Sequence, residues 1–138
     1  MAPRLAAALG LVLAASLVVP ATAATPKAGS WSGDTRQDKS INFKVTPGGE
    51  KVKKLKVGFK GTCDNGATVI GQTKFGGKFD VEDGKFTTGS SGNTKVKGNF
   101  TSRNHAKGTL KHTSTTFDPF SLRTVECRSG KVRWTADH

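Results

Sequence analysis

The amino-acid sequence predicts an all-β protein: an antiparallel β-sandwich or closed barrel of about eight or nine short strands with one disulfide. Three observations carry that prediction. Apolar residues recur with period two rather than 3.6. Turn-forming Gly, Pro, Asn and Asp residues interrupt the alternation at short intervals. The chain has two cysteines, Cys63 and Cys127, and Cys63 falls in phase with an apolar set.

Taken in order, Ile41, Phe43 and Val45 alternate with Asn42 and Lys44, and Pro47-Gly48-Gly49 ends that strand. Leu55, Val57, Phe59, Gly61 and Cys63 then alternate with Lys54, Lys56, Gly58, Lys60 and Thr62, one apolar and one basic face on a single strand. Val52 is out of phase with Leu55, which implies a bulge near Lys53-Lys54. Asp64-Asn65-Gly66 turns the chain after Cys63. Asp83-Gly84, between Lys78–Val81 and Lys85–Thr88, is the strongest hairpin signal. Gly89-Ser90-Ser91-Gly92 reads as a flexible connection, and Arg103-Asn104 as a hairpin turn joining Val96–Ser102 to His105–Ser114. Asp118-Pro119 marks the longest irregular connection, with Thr115–Ser121 as an exposed loop. Ser129-Gly130 turns into a last strand, in which Val132, Trp134 and Ala136 alternate with Lys131, Arg133 and Thr135. The expected core is Trp31, Phe43, Leu55, Val57, Phe59, Phe79, Val81, Val96, Phe100, Leu110, Val132 and Trp134.

The first 23 residues are of another kind. Arg4 is their one charge, and Leu5–Val19 is an apolar run broken by Pro20. Ala21-Thr22-Ala23 presents small residues where a signal peptidase reads, so cleavage is expected between Ala23 and Ala24. As a helix, the run would reach about 22 Å, short of the roughly 30 Å hydrocarbon core. The expected organisation is a signal peptide over 1–23, a short flexible tail over 24–28 and a single β domain over 29–138. The expected destination is outside the cell, with no transmembrane segment after cleavage.

Export makes the cysteines legible. In an oxidising compartment Cys63 and Cys127 have only each other within the chain. Closing a loop across 64 positions should stabilise by roughly 4 kcal/mol in the chain-entropy model. The mature chain needs it, because Leu, Ile, Val and Phe number only 21 of its residues, near the roughly 20% level below which charged chains stay unfolded.

The motifs of common catalytic sites are missing. The sequence contains no Gly-x-Ser-x-Gly, no Ser-x-x-Lys, no Cys-x-x-Cys and no His-Glu-x-x-His. His105 and His112 have opposite strand parity and cannot chelate one ion together. Asp80, Glu82 and Asp83 form an acidic hairpin tip, without the further oxygens of a calcium loop. The reading is a non-enzymatic protein with no cofactor and no metal.

The charge is the informative feature. The chain carries 22 Lys+Arg against 10 Asp+Glu, a net of +12, and removing the leader lowers it only to +11. Lys54, Lys56 and Lys60 share a strand face; Lys95 with Lys97, Lys107 with Lys111, and Lys131 with Arg133 hold equivalent outward positions on three others. If these strands are neighbours, their charges add into a field that concentrates polyanions. Lysines outnumber arginines 16 to 6, and a lysine lacks the bidentate fork of arginine, so the field would be unselective and specific nucleic-acid readout is not expected. Lys54, Lys56, Lys60, Lys95 and Lys97 are therefore the expected contacts for an anionic polymer of the cell envelope. The rival expectation is a secreted inhibitor or toxin-like protein docking through the Thr115–Ser121 loop, to be recognised by a bare Phe117 or Phe120.

The ends of the domain carry a further pattern. Gly29-Ser30-Trp31-Ser32-Gly33 opens it, and Cys127-Arg128-Ser129-Gly130-Lys131-Val132-Arg133-Trp134-Thr135-Ala136 closes it. With Asp83-Gly84-Lys85-Phe86, Val96-Lys97-Gly98-Asn99-Phe100 and Gly108-Thr109-Leu110 between, the chain resembles a family of small secreted modules of actinobacterial sequences. That family shows a Gly-x-aromatic-x-Gly start and a Cys-x-Ser-Gly-x-Val-x-Trp-x-Ala end. The resemblance implies a β-sandwich and export, and no active site.

Overall fold

Period-two alternation becomes strand at every place where it was read, and further strands form where it was not. The computed structural model describes residues 14–16, 23–89 and 92–138. The leader therefore lies almost wholly outside the described residues, as do Ser90 and Ser91 of the Gly89–Gly92 connection. The strands are β1 (Gly29–Thr35), β2 (Ser40–Val45), β3 (Lys51–Cys63), β4 (Thr68–Lys74), β5 (Lys78–Asp80), β6 (Lys85–Thr87), β7 (Thr94–Phe100), β8 (His105–Asp118), β9 (Arg123–Arg128) and β10 (Val132–Asp137). All belong to one antiparallel sheet in the order β10-β1-β2-β3-β9-β8-β7-β6. β4 and β5 pair with β3, and β10 also pairs with β8. No α-helix occurs among the described residues, and none of their segments is a helix able to cross a membrane.

Ten strands replace the expected eight or nine. β4 escaped because Ile70 points to solvent while Val69 is only half-buried, so its apolar residues do not keep one phase. β9 escaped because only Val125 and Cys127 mark its inner face. The Thr115–Ser121 segment is correspondingly not an irregular loop: β8 runs to Asp118 and pairs with β9 from Thr113↔Arg128 to Asp118↔Arg123.

Two turns behave differently from their sequence signals. Asp83 and Gly84 both take positive φ (51° and 71°), as a tight hairpin turn requires. The hairpin then stops after one bridge, Glu82↔Lys85, because β5 leaves to pair with β3 and β6 with β7. Ser129-Gly130 does not reverse the chain. β9 and β10 both run antiparallel to β8, opposite Thr113–Asp118 and His105–Leu110 respectively, so residues 129–131 form a jog between them.

The bulge in β3 is present. Asn42 and Lys44 face Lys56 and Lys53, so Lys54 and Leu55 together oppose Phe43. Lys54 is the extra residue and adopts φ 52°. This returns Leu55 to the buried phase, which both halves of the long strand then share.

The core is one cluster built around Trp31, Trp134, Phe43, Phe86 and Phe100. Trp31 stacks on Phe43, with centroids 5.8 Å apart, and Trp134 meets Phe43 edge-on at 6.1 Å. Ten of the twelve expected core residues are buried in the cluster; Phe79 and Val81 only pack against it, because three-residue β5 gives little cover. Ile41, Val45, Val52, Phe86, Ala106 and Ala136 complete it. Cys63 and Cys127 are directly opposed in the β3–β9 ladder, form the disulfide and are both buried.

Residues 24–28, expected as a flexible tail, have defined contacts. Pro26 is buried, and the Lys27 N–H donates to the Arg103 carbonyl at 2.9 Å. The physical reason is Trp31: its buried indole N–H needs an acceptor and donates to the Lys27 carbonyl at 2.9 Å. Gly49 makes room, since a Cβ there would lie 2.8 Å from the Pro26 carbonyl oxygen.

Candidate functional site

The sheet decides which lysines are neighbours. β7, β8 and β10 lie side by side, with registers Lys95↔Lys111, Lys97↔Thr109, Arg133↔Thr109 and Thr135↔Lys107. Their inward partners Val96, Leu110, Val132 and Trp134 are buried. Alternation therefore turns Lys95, Lys97, Lys107, Lys111, Lys131 and Arg133 onto one outer face. Among the described residues, none of the six makes an ion pair.

At the centre of this face is a recess of about 220 Å³ lined by Lys95, Lys97, Thr109, Leu110, Lys111 and Lys131. Four lysines and one threonine thus line the same recess. Like charges directly opposite in a ladder destabilise it, and Lys95↔Lys111 is such a pair. Two unit charges about 4 Å apart repel by roughly 1 kcal/mol even in bulk water. An anion in the recess would remove that repulsion and gain donors from several lysines at once.

The five lysines singled out from sequence lie on two strands that do not pair, β3 and β7. Lys95 and Lys97 belong to the face just described. Lys54 and Lys56 lie on β3 with a second basic area, in which Lys53 faces Lys44 on one side and Lys78 on the other, and Lys56 faces Lys74. This area has its own acid: Lys51 pairs with Asp80, which raises the Lys51 pKa above the ordinary lysine value through the hydrogen bond and the charge. Lys60, farther along β3, is tied through its backbone to Gln37. Its backbone N–H donates to Gln37 Oε1 and its carbonyl accepts from Gln37 Nε2, each at 2.8 Å. Gln37 sits in the β1–β2 turn, which borders Lys131 and Arg133 on its other side.

A buried polar chain joins strands near the seam between β4 and β7. Thr73 Oγ1 and Thr94 Oγ1 are 2.7 Å apart, and Thr94 Oγ1 lies 2.8 Å from His112 Nδ1. The His112 ring stacks on Phe59 with centroids 3.6 Å apart, and burial lowers its pKa from the ordinary histidine value. Thr94 is 3% exposed, so this hydroxyl–imidazole pair is a strut between β4, β7 and β8. His105 faces the other side of β8 and binds Asp137 at 2.6 Å, as its parity required. Among the described residues no three His, Cys, Asp or Glu side chains gather as metal ligands.

The end of the β8–β9 hairpin bears three of the four exposed large apolar side chains among the described residues: Phe117 at 61%, Phe120 at 97% and Leu122 at 75%; the fourth, Ile70, lies on β4. Phe117 and Phe120 were singled out from sequence; Leu122 was not, because no alternation marks a turn residue. No family model, curated protein or solved structure matches this chain.

Proposed function

We propose that this protein is an exported, non-enzymatic binding protein that holds anionic polymer of the cell envelope on the outer face of β7, β8 and β10. The observation that carries the reading is the lysine-lined recess. Four lysines line it, and among the described residues none of them makes an ion pair, so the fold gathers like charges where an external anion would be favoured. The β3 area is a poorer candidate because Asp80 already neutralises part of it. Resemblance to the small secreted modules agrees with this reading in implying export and no catalytic residues.

Two triple variants of identical charge change test the proposal. Lys95, Lys111 and Lys131 are replaced by Glu in one, and Lys54, Lys56 and Lys60 in the other. Both are applied to a poly(glycerol phosphate) column at low salt. The first should elute at distinctly lower salt than wild type, and the second close to wild type. Equal losses would show that net charge alone, rather than this face, holds the polymer. No retention of the wild type would reject polyanion binding.

A further inference from the structure

We propose that the end of the β8–β9 hairpin inserts into the interface of an anionic lipid bilayer, an interaction beyond the polymer-binding face. Phe117, Phe120 and Leu122 present their side chains to solvent at a projecting hairpin end rather than in a groove. Residues on a convex end suit a medium that conforms around them, as lipid headgroups and upper acyl chains do.

Two donors of the turn are satisfied within the turn itself. Pro119 has no N–H. The Phe120 N–H donates to Asp118 Oδ1 and the Ser121 hydroxyl to Asp118 Oδ2, each at 2.9 Å. Those bonds, first of all that from Phe120, hold the Asp118 carboxyl below the usual carboxylate range. Asp118 itself is buried. A segment can enter an apolar interface only if its donors and acceptors are already satisfied. This turn meets that demand for the groups that Asp118 reaches.

Charge selects the bilayer. Exposed Arg123 stands opposite Asp118 at the tip. On β8 itself, Phe117 shares its outer face with Lys111, six residues or about 20 Å back along the strand. Apolar anchors with cations behind them on one face are what an anionic membrane surface attracts.

The test uses the full mature protein with vesicles of phosphatidylcholine, with and without phosphatidylglycerol. In a Phe120→Trp variant the added indole should be quenched by brominated acyl chains in the phosphatidylglycerol vesicles. Trp31 and Trp134, each 1% exposed, should stay unquenched in the wild type. A Phe120→Ser/Leu122→Ser variant should keep its disulfide and its retention on poly(glycerol phosphate), and lose more than about tenfold in vesicle affinity. Unchanged vesicle affinity in that variant, or an unquenched Trp at position 120, would overturn the proposal and reduce vesicle binding to surface charge. Absence of vesicle binding by the wild type would overturn it too, and leave the tip for a partner protein. Retention on the polymer reports the other face separately, so the two readings can fail independently.

Discussion

Replacing Trp134 by alanine removes the side chain on which the last strand is seated. Trp134 is 1% exposed, and its ring meets Phe43 at 6.1 Å and Phe86 at 6.2 Å. A buried Trp covers up to about 250 Å², which at about 25 cal/mol per Å² is roughly 6 kcal/mol as an upper bound. Measured aromatic-to-alanine losses of about 3–5 kcal/mol are the better expectation. Against a total stability of about 5–15 kcal/mol, that places the variant at the edge of unfolding. Trp134→Phe keeps a ring in the cluster and should lose roughly 1–2 kcal/mol. Urea unfolding followed by far-ultraviolet circular dichroism, with m-values compared, measures both losses. A loss below about 1 kcal/mol for the alanine variant would refute the reasoning, because β10 would then be peripheral to the core.

Gly108→Ala should cost more than about 3 kcal/mol, since its Cβ would lie 1.9 Å from the Lys97 carbonyl oxygen and 2.6 Å from Trp134 Cζ2. Gly76→Ala, where a Cβ meets nothing within 4 Å, should stay within about 0.5 kcal/mol in the same denaturation assay. Lys54→Gly relieves a left-handed backbone at the bulge and should raise stability by roughly 0.5 kcal/mol, the relief exceeding the entropy lost by glycine; a lower melting temperature would speak against the bulge. Burial lowers the folded-state pKa of His112 below its unfolded value of 6.5, so protonation favours the unfolded chain. Stability from this residue is present above that value and declines as pH falls below it, until the folded pKa is reached. Melting scans from about pH 7 to pH 5 should show this decline in wild type and a smaller one in His112→Gln.

The fold was legible where side chains keep one phase and obscure where they do not. Leu55 through Cys63 announced β3, and the phase slip at Val52 announced its bulge. β4 was hidden by Ile70 on the outer face, and β9 by having only Val125 and Cys127 inside. The candidate site divides in the same way. Alternation shows which lysines point outward, since parity is local. It does not show which strands adjoin, because pairing β8 with β10 brings together residues such as Leu110 and Val132 that only the tertiary fold relates. Lys54, Lys56 and Lys60 lie on β3, and Lys95 and Lys97 on β7, two strands that do not pair. Phe117 and Phe120 could be named from sequence, but their exposure follows from β8 and β9 continuing past the core as a hairpin.

The most direct test of the binding face is to locate the polymer on the protein. Amide chemical shifts would be followed by NMR as poly(glycerol phosphate) is added at low salt. The largest shifts should cluster at Lys95–Lys97, Thr109–Lys111 and Lys131–Arg133, and fade as salt shortens the Debye length from about 10 Å at 0.1 M to about 3 Å at 1 M. Shifts centred on Lys53–Lys56 and Lys74, or spread evenly over all the lysines, would contradict the proposed face.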